Sequence, residues 1–346
     1  MQNKGSRLRD LRQLRGMTQK DFAEQLQIPQ PYLSAVERGR KPADSTAMKA
    51  CYVFGVSPKF FTAPPVEYGS GSLNFRTKKI PAYVQDAARV TFAELERNAF
   101  AHYSTIPPID LTYPNLEDRS TALPIEQIEE IAQQTRRTLS LPSDGPVPNV
   151  TRALERAGIP VITLENTLVD LSSIDGLSSP TLTAEGRGAI ATTEKTDGGR
   201  VRFTRAHELG HLVMHTRIRP GSEKVRETEA NLFAGAFLMP KTDAEKHLSP
   251  HLTLEGYAQV KAKYAVSIQA LIRRAKELKI ITPERYRSLS IQLSSRGWRT
   301  NEPVRIAVER TAEIPTTDEI LPAPSPAPDE PKTGKEADVI QLFDTD

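Results

Sequence analysis

The apolar positions of this chain fall at helical spacing far more often than in alternation. In the first sixty residues they mark short helices over roughly Ser6 to Arg15, Thr18 to Leu26, Gln30 to Arg38, Asp44 to Phe54 and Ser57 to Phe61, with Gly16 and Gly39 as punctuation. Thr18, followed three residues later by Asp21, reads as an N-cap with an acidic first turn, and Phe22, Ala23 and Leu26 supply the apolar face behind it. Pro64-Pro65 and Gly69-Ser70-Gly71-Ser72 read as a linker. Helical spacing resumes over Pro81 to Tyr103, Ile125 to Leu139 and Asn149 to Ala157, the last closed by Gly158 at a position suited to a left-handed cap.

From Ile159 the period shortens. Ile159 to Leu164, Ile174 to Leu177 and Gly188 to Thr193 are β-type runs accompanied by Asp175-Gly176 and Asp197-Gly198-Gly199 turn signals. Helices return over Val201 to Met214, Val225 to Leu238, Leu254 to Tyr264, Ile268 to Leu278 and Pro283 to Leu293. Beyond about Pro303, prolines at 315, 322, 324, 326, 328 and 331 stand among acids and small residues, a composition that cannot bury enough apolar surface to order itself. The expected fold class is therefore mainly α with a small β-sheet (α+β). The expected units are an all-helical N-terminal domain at 1–63, a linker at 64–80, a domain carrying the sheet at 81–240, a helical region at 241–301 and a disordered acidic, proline-rich tail at 302–346.

Composition changes this picture in two respects. The 346 residues hold one cysteine, Cys51, so an internal disulfide and every thiolate-rich zinc site are excluded, and any metal must be held by histidine and carboxylate. Charge is uneven: residues 1–62 carry eleven lysines and arginines against five acids, whereas 302–346 carry four against eleven. A basic head fits a nucleic-acid partner. No apolar run is long enough to span a bilayer and the first residues lack the apolar core of a signal peptide, so a cytoplasmic protein without a membrane partner is expected.

Within the helix at 201–214 stands His207-Glu208-Leu209-Gly210-His211. Residues four apart share a helix face, so both imidazoles can meet one cation while Glu208 sits one step round beside the open coordination position. Zinc held this way lowers the pKa of a bound water, and Glu208 as general base would take its proton and pass it to a leaving amine. Five residues alone can fall this way by chance on an amphipathic helix. A catalytic zinc also needs a third ligand, and Glu227 and Glu229 on the next helix compete for it. Spacing favours Glu227, which shares a face with Asn231, Ala234 and Leu238; Asn231 would then accept a hydrogen bond from a ligating histidine, and Glu229 would fall to the side or to solvent. His215 extends the histidine row by another turn, a distance that suits a core or supporting role better than ligation.

Phe203-Thr204-Arg205-Ala206-His207-Glu208-Leu209-Gly210-His211, followed by Glu227, Ala230-Asn231, Phe233-Ala234 and Leu238-Met239-Pro240, closely resembles the core of the ImmA/IrrE metallopeptidases. Gly235-Ala236-Phe237 is bulkier than that family's usual run of small residues. The resemblance implies a zincin-like fold, zinc on His207, His211 and Glu227, and Glu208 as base.

In the head, Gln19, Ala23, Ile28, Leu33 and Val36 suit two helices packed across a short turn, Gln27-Ile28-Pro29. The second helix would offer Gln30, Tyr32 and Ser34 to base edges, with Gln19 at the start of the first, while Arg38, Arg40 and Lys41 neutralise phosphates. Glu37, an acid near phosphate, is expected to stabilise the domain instead. Arg12 to Gln19 together with Leu33-Ser34-Ala35-Val36-Glu37-Arg38-Gly39 resembles the Cro/C1-type (XRE) helix-turn-helix family, which implies operator DNA as partner and binding as a homodimer. A weaker helix-turn-helix look around Tyr264-Ala265-Val266-Ser267, near Arg273 and Arg274, reads better as packing, and Trp298 as an anchor for the end of the fold.

Together these readings predict a DNA-binding transcriptional regulator with a zinc endopeptidase that cleaves a repressor or its own chain. The competing expectations are a repressor whose peptidase-like domain only senses metal or ligand, and an antitoxin-like module acting by contact. The intact Glu208 favours the first.

Overall fold

In a computed structural model of the chain, the structure describes residues 4–65, 68, 73, 80–111, 122–193, 197–216 and 222–314. Most expected elements form within one to three residues of the predicted bounds. The head comprises α1 (Lys4–Leu14), α2 (Gln19–Gln25), α3 (Gln30–Glu37) and α4 (Asp44–Phe54), then a 3-10 turn at Pro58–Thr62. Thr18 caps α2 by accepting from the Asp21 N–H at 3.2 Å, as the sequence predicts. Leu8, Leu11, Phe22, Leu33, Val36 and Phe54 close its core, with Phe22 stacked on Phe54 at 4.7 Å between ring centroids.

Next comes α5 (Ala82–His102), which packs against two neighbours. Val90 joins the core of the head, while Ala87, Ala88, Phe92, Leu95 and Ala99 pack on the sheet and its loops. A buried ion pair reinforces the first contact: Arg7 of α1 donates to Glu94 of α5 at 2.7 Å, to Asp10 at 3.0 Å and to the Phe60 carbonyl at 3.0 Å. Asn166 completes it by donating to the Leu14 carbonyl and to Thr91, both at 2.9 Å.

After α6 (Ile125–Thr138) and α7 (Val150–Arg156) the chain lays down β1 (Val161–Thr163), β2 (Gly176–Ser178) and β3 (Ile190–Thr192). The strand order is β1-β3-β2, with β1 parallel and β2 antiparallel to the central β3. Gly158, between α7 and β1, takes φ +74°, and a Cβ there would meet the Pro107 carbonyl at 2.9 Å, so the expected left-handed cap forms where only glycine fits. Two long helices follow, α8 (Gly198–His215) and α9 (Glu223–Leu238), then α10 (Lys241–His247), α11 (Leu254–Tyr264), α12 (Ile268–Glu277) and α13 (Pro283–Ser295). Helical spacing does not resolve α10, a short helix that follows Pro240 directly. Arg274 of α12 is buried against Glu129 and the Met239 carbonyl, so α11 and α12 act as packing elements, and Trp298 packs on the main core as expected. Among the described residues, no helix is long and apolar enough to cross a membrane.

The structure corrects the expected start of the tail at residue 302. Residues 302–314 form a strap over the helix ends, held by carboxylates that composition alone gives no reason to bury. Glu302 accepts from Lys261 at 2.8 Å and from the Ile268 N–H at the start of α12 at 2.9 Å. Glu309 accepts from the Val150 and Thr151 N–H groups at the start of α7 and pairs with Arg202 of α8. Gly198 admits the strap, because a Cβ there would collide with the Ala307 carbonyl. The expectation for 315–346 lies outside the described residues, as does most of the expected linker at 64–80.

Lys261 is wholly buried between Asp197 and Glu302, so removing one partner leaves a charge short of compensation in the interior. Glu302→Gln is expected to cost about 3 kcal/mol in urea denaturation. A loss below about 0.5 kcal/mol, the range of ordinary surface substitutions, would show that the strap does not hold the fold.

Candidate metal centre and nucleic-acid interface

Two helix caps set the helices that carry the candidate ligands. Asp197 starts α8 by accepting from the Arg200 N–H at 3.1 Å, and Ser222 starts α9 by accepting from the Val225 N–H at 3.4 Å. Where the helices cross, Gly210 sits so close to Ala230 and Phe233 that a Cβ would meet the Phe233 ring at 3.0 Å and the Ala230 Cα at 3.3 Å. That approach brings His207 and His211 of α8 against Glu227 of α9. The two Nε2 atoms lie 3.1 Å apart, and the Glu227 carboxylate reaches them at 3.4 Å and 3.1 Å. All three donor groups lie within 4.8 Å of one another.

Two imidazole nitrogens and a carboxylate converge here and could hold a metal ion, the same donor types that catalytic zinc sites of the His2Glu kind use. The set therefore fits the metal that the sequence suggests. Burial alone would raise the Glu227 carboxyl, but hydrogen bonds from His207 and His211 outweigh it and hold the group well below the usual carboxylate range. Glu208, 3 % exposed, faces β2, where Ser178 Oγ donates to its Oε2 at 2.8 Å. Gly176 lets the strand come this near, since a Cβ would meet Glu208 Cγ at 3.2 Å. Glu227 and Asn231 also line an open cleft of about 600 Å³, together with Arg200, Phe203, Thr204 and Arg273.

The contacts of α9 bear on Asn231 and Glu229. Asn231 donates to the Glu227 carbonyl at 2.6 Å, so it fastens the backbone that carries the carboxylate. Glu229 does not fall to solvent. It is 2 % exposed, accepting from the Leu123 N–H at 2.7 Å and meeting His215 Nε2 at 2.9 Å. His215 Nδ1 in turn lies 2.9 Å from His211 Nδ1, in agreement with the supporting role expected for it.

In the head, α3 is exposed along Gln30, while Tyr32 is half-buried beneath Lys41, whose Nζ lies 4.6 Å from the ring centroid. Gln30 donates to Gln19 at 2.9 Å, and Gln19 to Glu37 at 2.7 Å, so the two glutamines form one ordered unit. Glu37 is buried and also accepts from Arg12 Nε at 2.7 Å, the stabilising role expected of it. Ser34 is the exception: it is 5 % exposed and bonded to Arg38, so it faces the domain interior and cannot read a base edge. Arg38, Arg40 and Lys41 are exposed at the end of α3 and just beyond.

Family comparisons agree with both halves. Residues 8–61 match the helix-turn-helix family and residues 154–276 match the IrrE N-terminal-like domain. The chain is a fusion of these two domains. It pairs a DNA-binding module with a peptidase-family module, the make-up of a transcription regulator. No curated protein matches it.

Sequence reasoning missed Ser178, the link from Glu229 to His215, and the Arg12 clamp on Glu37. Ser178 stands thirty positions from Glu208 with no signal in the spacing. By contrast, the wide spacing of Glu229 and His215 conceals a buried carboxylate that the His-x3-His-x3-His row could have pointed to.

Lys41→Ala and Arg40→Ala are each expected to weaken binding to duplex DNA about equally across sequences and to reduce the salt slope by roughly one, whereas Gln30→Ala should relax sequence preference. Fluorescence anisotropy over a salt series checks this. An unchanged slope in both basic variants would remove this face from the interface.

Proposed function

We propose that this protein is a DNA-bound regulator whose second domain is a zinc-dependent endopeptidase. One observation carries the reading: His207, His211 and Glu227 bring two imidazole nitrogens and a carboxylate to one point beside a substrate-sized cleft. His207, His211 and Glu227 would hold the ion, which supplies Lewis acidity for the carbonyl and lowers the pKa of water towards neutrality.

The rest falls to the chain itself. Glu208 accepts the proton released as water attacks the scissile carbonyl, then gives it to the departing amine nitrogen, so the peptide C–N bond breaks with a neutral leaving group. Ser178, donating to Oε2, fixes the rotation of that carboxylate and spares it a search for geometry during the reaction. Asn231 secures the turn of α9 that presents Glu227. The cleft beside Glu227, lined by residues of α8, α9 and α12, receives the substrate segment.

The head narrows the substrate. Gln30, Tyr32, Arg38, Arg40 and Lys41 place the protein on an operator, as a homodimer, so the proteins within reach are other DNA-bound regulators and the partner copy. A transcriptional repressor is the favoured substrate, and the protein's own chain is the second.

The test compares zinc-loaded wild type with Glu208→Gln, each incubated with a panel of repressors and with itself, fragments being read by mass spectrometry. Wild type is expected to cut, and the variant to cut about 10²–10⁴-fold more slowly with its zinc content and DNA binding intact. Equal fragment yields from both proteins, with both still shifting DNA, would leave a metal sensor in place of a peptidase.

A further inference from the structure

The charge of the chain is divided in a way that the proposed chemistry does not use. In the head, Asp10 is held by Arg7, Glu37 by Arg12 and Asp44 by Lys4. Those three pairs leave eight lysines and arginines against Asp21 and Glu24 in residues 1–62. Of that surplus, Lys20 of α2 and Arg38, Arg40 and Lys41 at and beyond the end of α3 are exposed. At the other end of the chain, residues 315–346, which lie outside the described residues, hold eight acids against Lys332 and Lys335.

We infer that the acidic segment 315–346 docks on the basic face of its own head, around Lys20, Arg38, Arg40 and Lys41, and competes there with duplex DNA. Opposite charge is the first support, since a face that neutralises phosphates takes carboxylates by the same attraction. The second is where the strap ends. The Ala312 N–H donates to Glu155 at 2.6 Å, and Ile314 packs on the apolar cluster that α5 shares with the sheet. Val169 belongs to that cluster and lies against Gly16, in the turn between α1 and α2. The acidic segment therefore leaves the strap from the same cluster that abuts the head. Reach is the third support: the thirty-two residues of 315–346 can extend over as much as about 100 Å, several times the breadth of a sixty-residue domain.

The cleft beside Glu227 is a poorer host for the same segment. Its two arginines are already met, Arg200 by the Arg299 carbonyl and Arg273 by Glu277 at 2.8 Å, and Asp175 and Glu227 add negative charge to the lining. On the head, Arg38 is bonded to Ser34 and Lys41 lies over the Tyr32 ring, partners that leave both cations their full charge. Tethering gives a segment an effective concentration of about 1 mM. At that concentration a segment that binds the head no better than non-specific duplex binds a protein, with a Kd of about 0.1 mM, holds the apparent DNA affinity down roughly tenfold. The attraction is between exposed charges, so added salt screens it.

The competition rests on the reading of the head as a DNA-binding module, whereas the docking is tested without DNA. The full chain is treated with a carbodiimide at low salt, and cross-linked peptides are identified by mass spectrometry from the monomer band. Amide bonds are expected between Lys20 or Lys41 and carboxylates of 315–346, and they should disappear when duplex is added. Alongside, fluorescence anisotropy compares wild type with one full-length variant carrying Asp318→Asn, Glu319→Gln, Asp329→Asn, Glu330→Gln, Glu336→Gln and Asp338→Asn. The variant is expected to bind duplex roughly tenfold more tightly at about 50 mM salt, an advantage that fades by about 300 mM. Equal affinities at low salt overturn the inference. So does tighter binding by the variant when wild type gives no cross-link to Lys20 or Lys41, because the acids then repel DNA without touching the head. If neither protein binds DNA, the reading of the head fails while the cross-links still decide the docking.

Discussion

Gly210 stands directly before His211, and its missing side chain is what allows α8 to rest on Ala230 and Phe233 of α9. The reach from His211 to Glu227 is 3.1 Å, so a helix pushed outward by even one methyl group would separate the donors. The adjoining positions on α9, Ala230 and Ala234, are small and fully buried, and the stacked Phe233 and Phe237 fill the volume beside them. Close helix packing and metal geometry are therefore one constraint. The same contact draws Glu229 to His215, so the support of His211 follows from the approach that brings the proposed ligands together.

A second constraint is the number of charges kept inside. Arg7, Arg136, Arg274 and Lys261 are all fully buried or nearly so, and each is met by carboxylates or carbonyls from distant parts of the chain. Pairs like these add little to stability when compared with well-packed apolar residues, but they are costly to break, and that makes them specific. Arg7 with Glu94 fixes the head against α5, and α5 also carries Glu96, which accepts from Ser179, the neighbour of the Ser178 that donates to Glu208. One helix therefore touches both the helix-turn-helix head and the residue that follows β2 beside the candidate metal centre.

Local patterns were the most legible part of the sequence. Helical spacing marked α2, α4, α8, α11 and α12 closely, because each has a capping residue or an apolar stripe that local chemistry fixes. The His-Glu-x-x-His spacing and the choice of Glu227 over Glu229 were legible too, since both follow from which residues share a helix face. Contacts between distant segments were not. The strap reads as disordered because it runs straight into the acidic, proline-rich tail; it is ordered by Glu302 and Glu309, whose partners lie 33 to 159 positions away. Ser34 was misplaced for a similar reason. Its position on α3 allowed either face, and only the packing of α3 on α1 and α2 turned it inward.

The account stands or falls on the claim that the three donors were assembled for a metal ion. Elemental analysis of the full chain, reconstituted with zinc and exhaustively dialysed, tests it most directly when wild type and Glu227→Ala are run side by side. The account predicts a stoichiometric ion in wild type and, in the variant, loss of most of that metal while the fold is retained. A wild-type chain that keeps no zinc, or a variant that keeps as much as wild type, would contradict it.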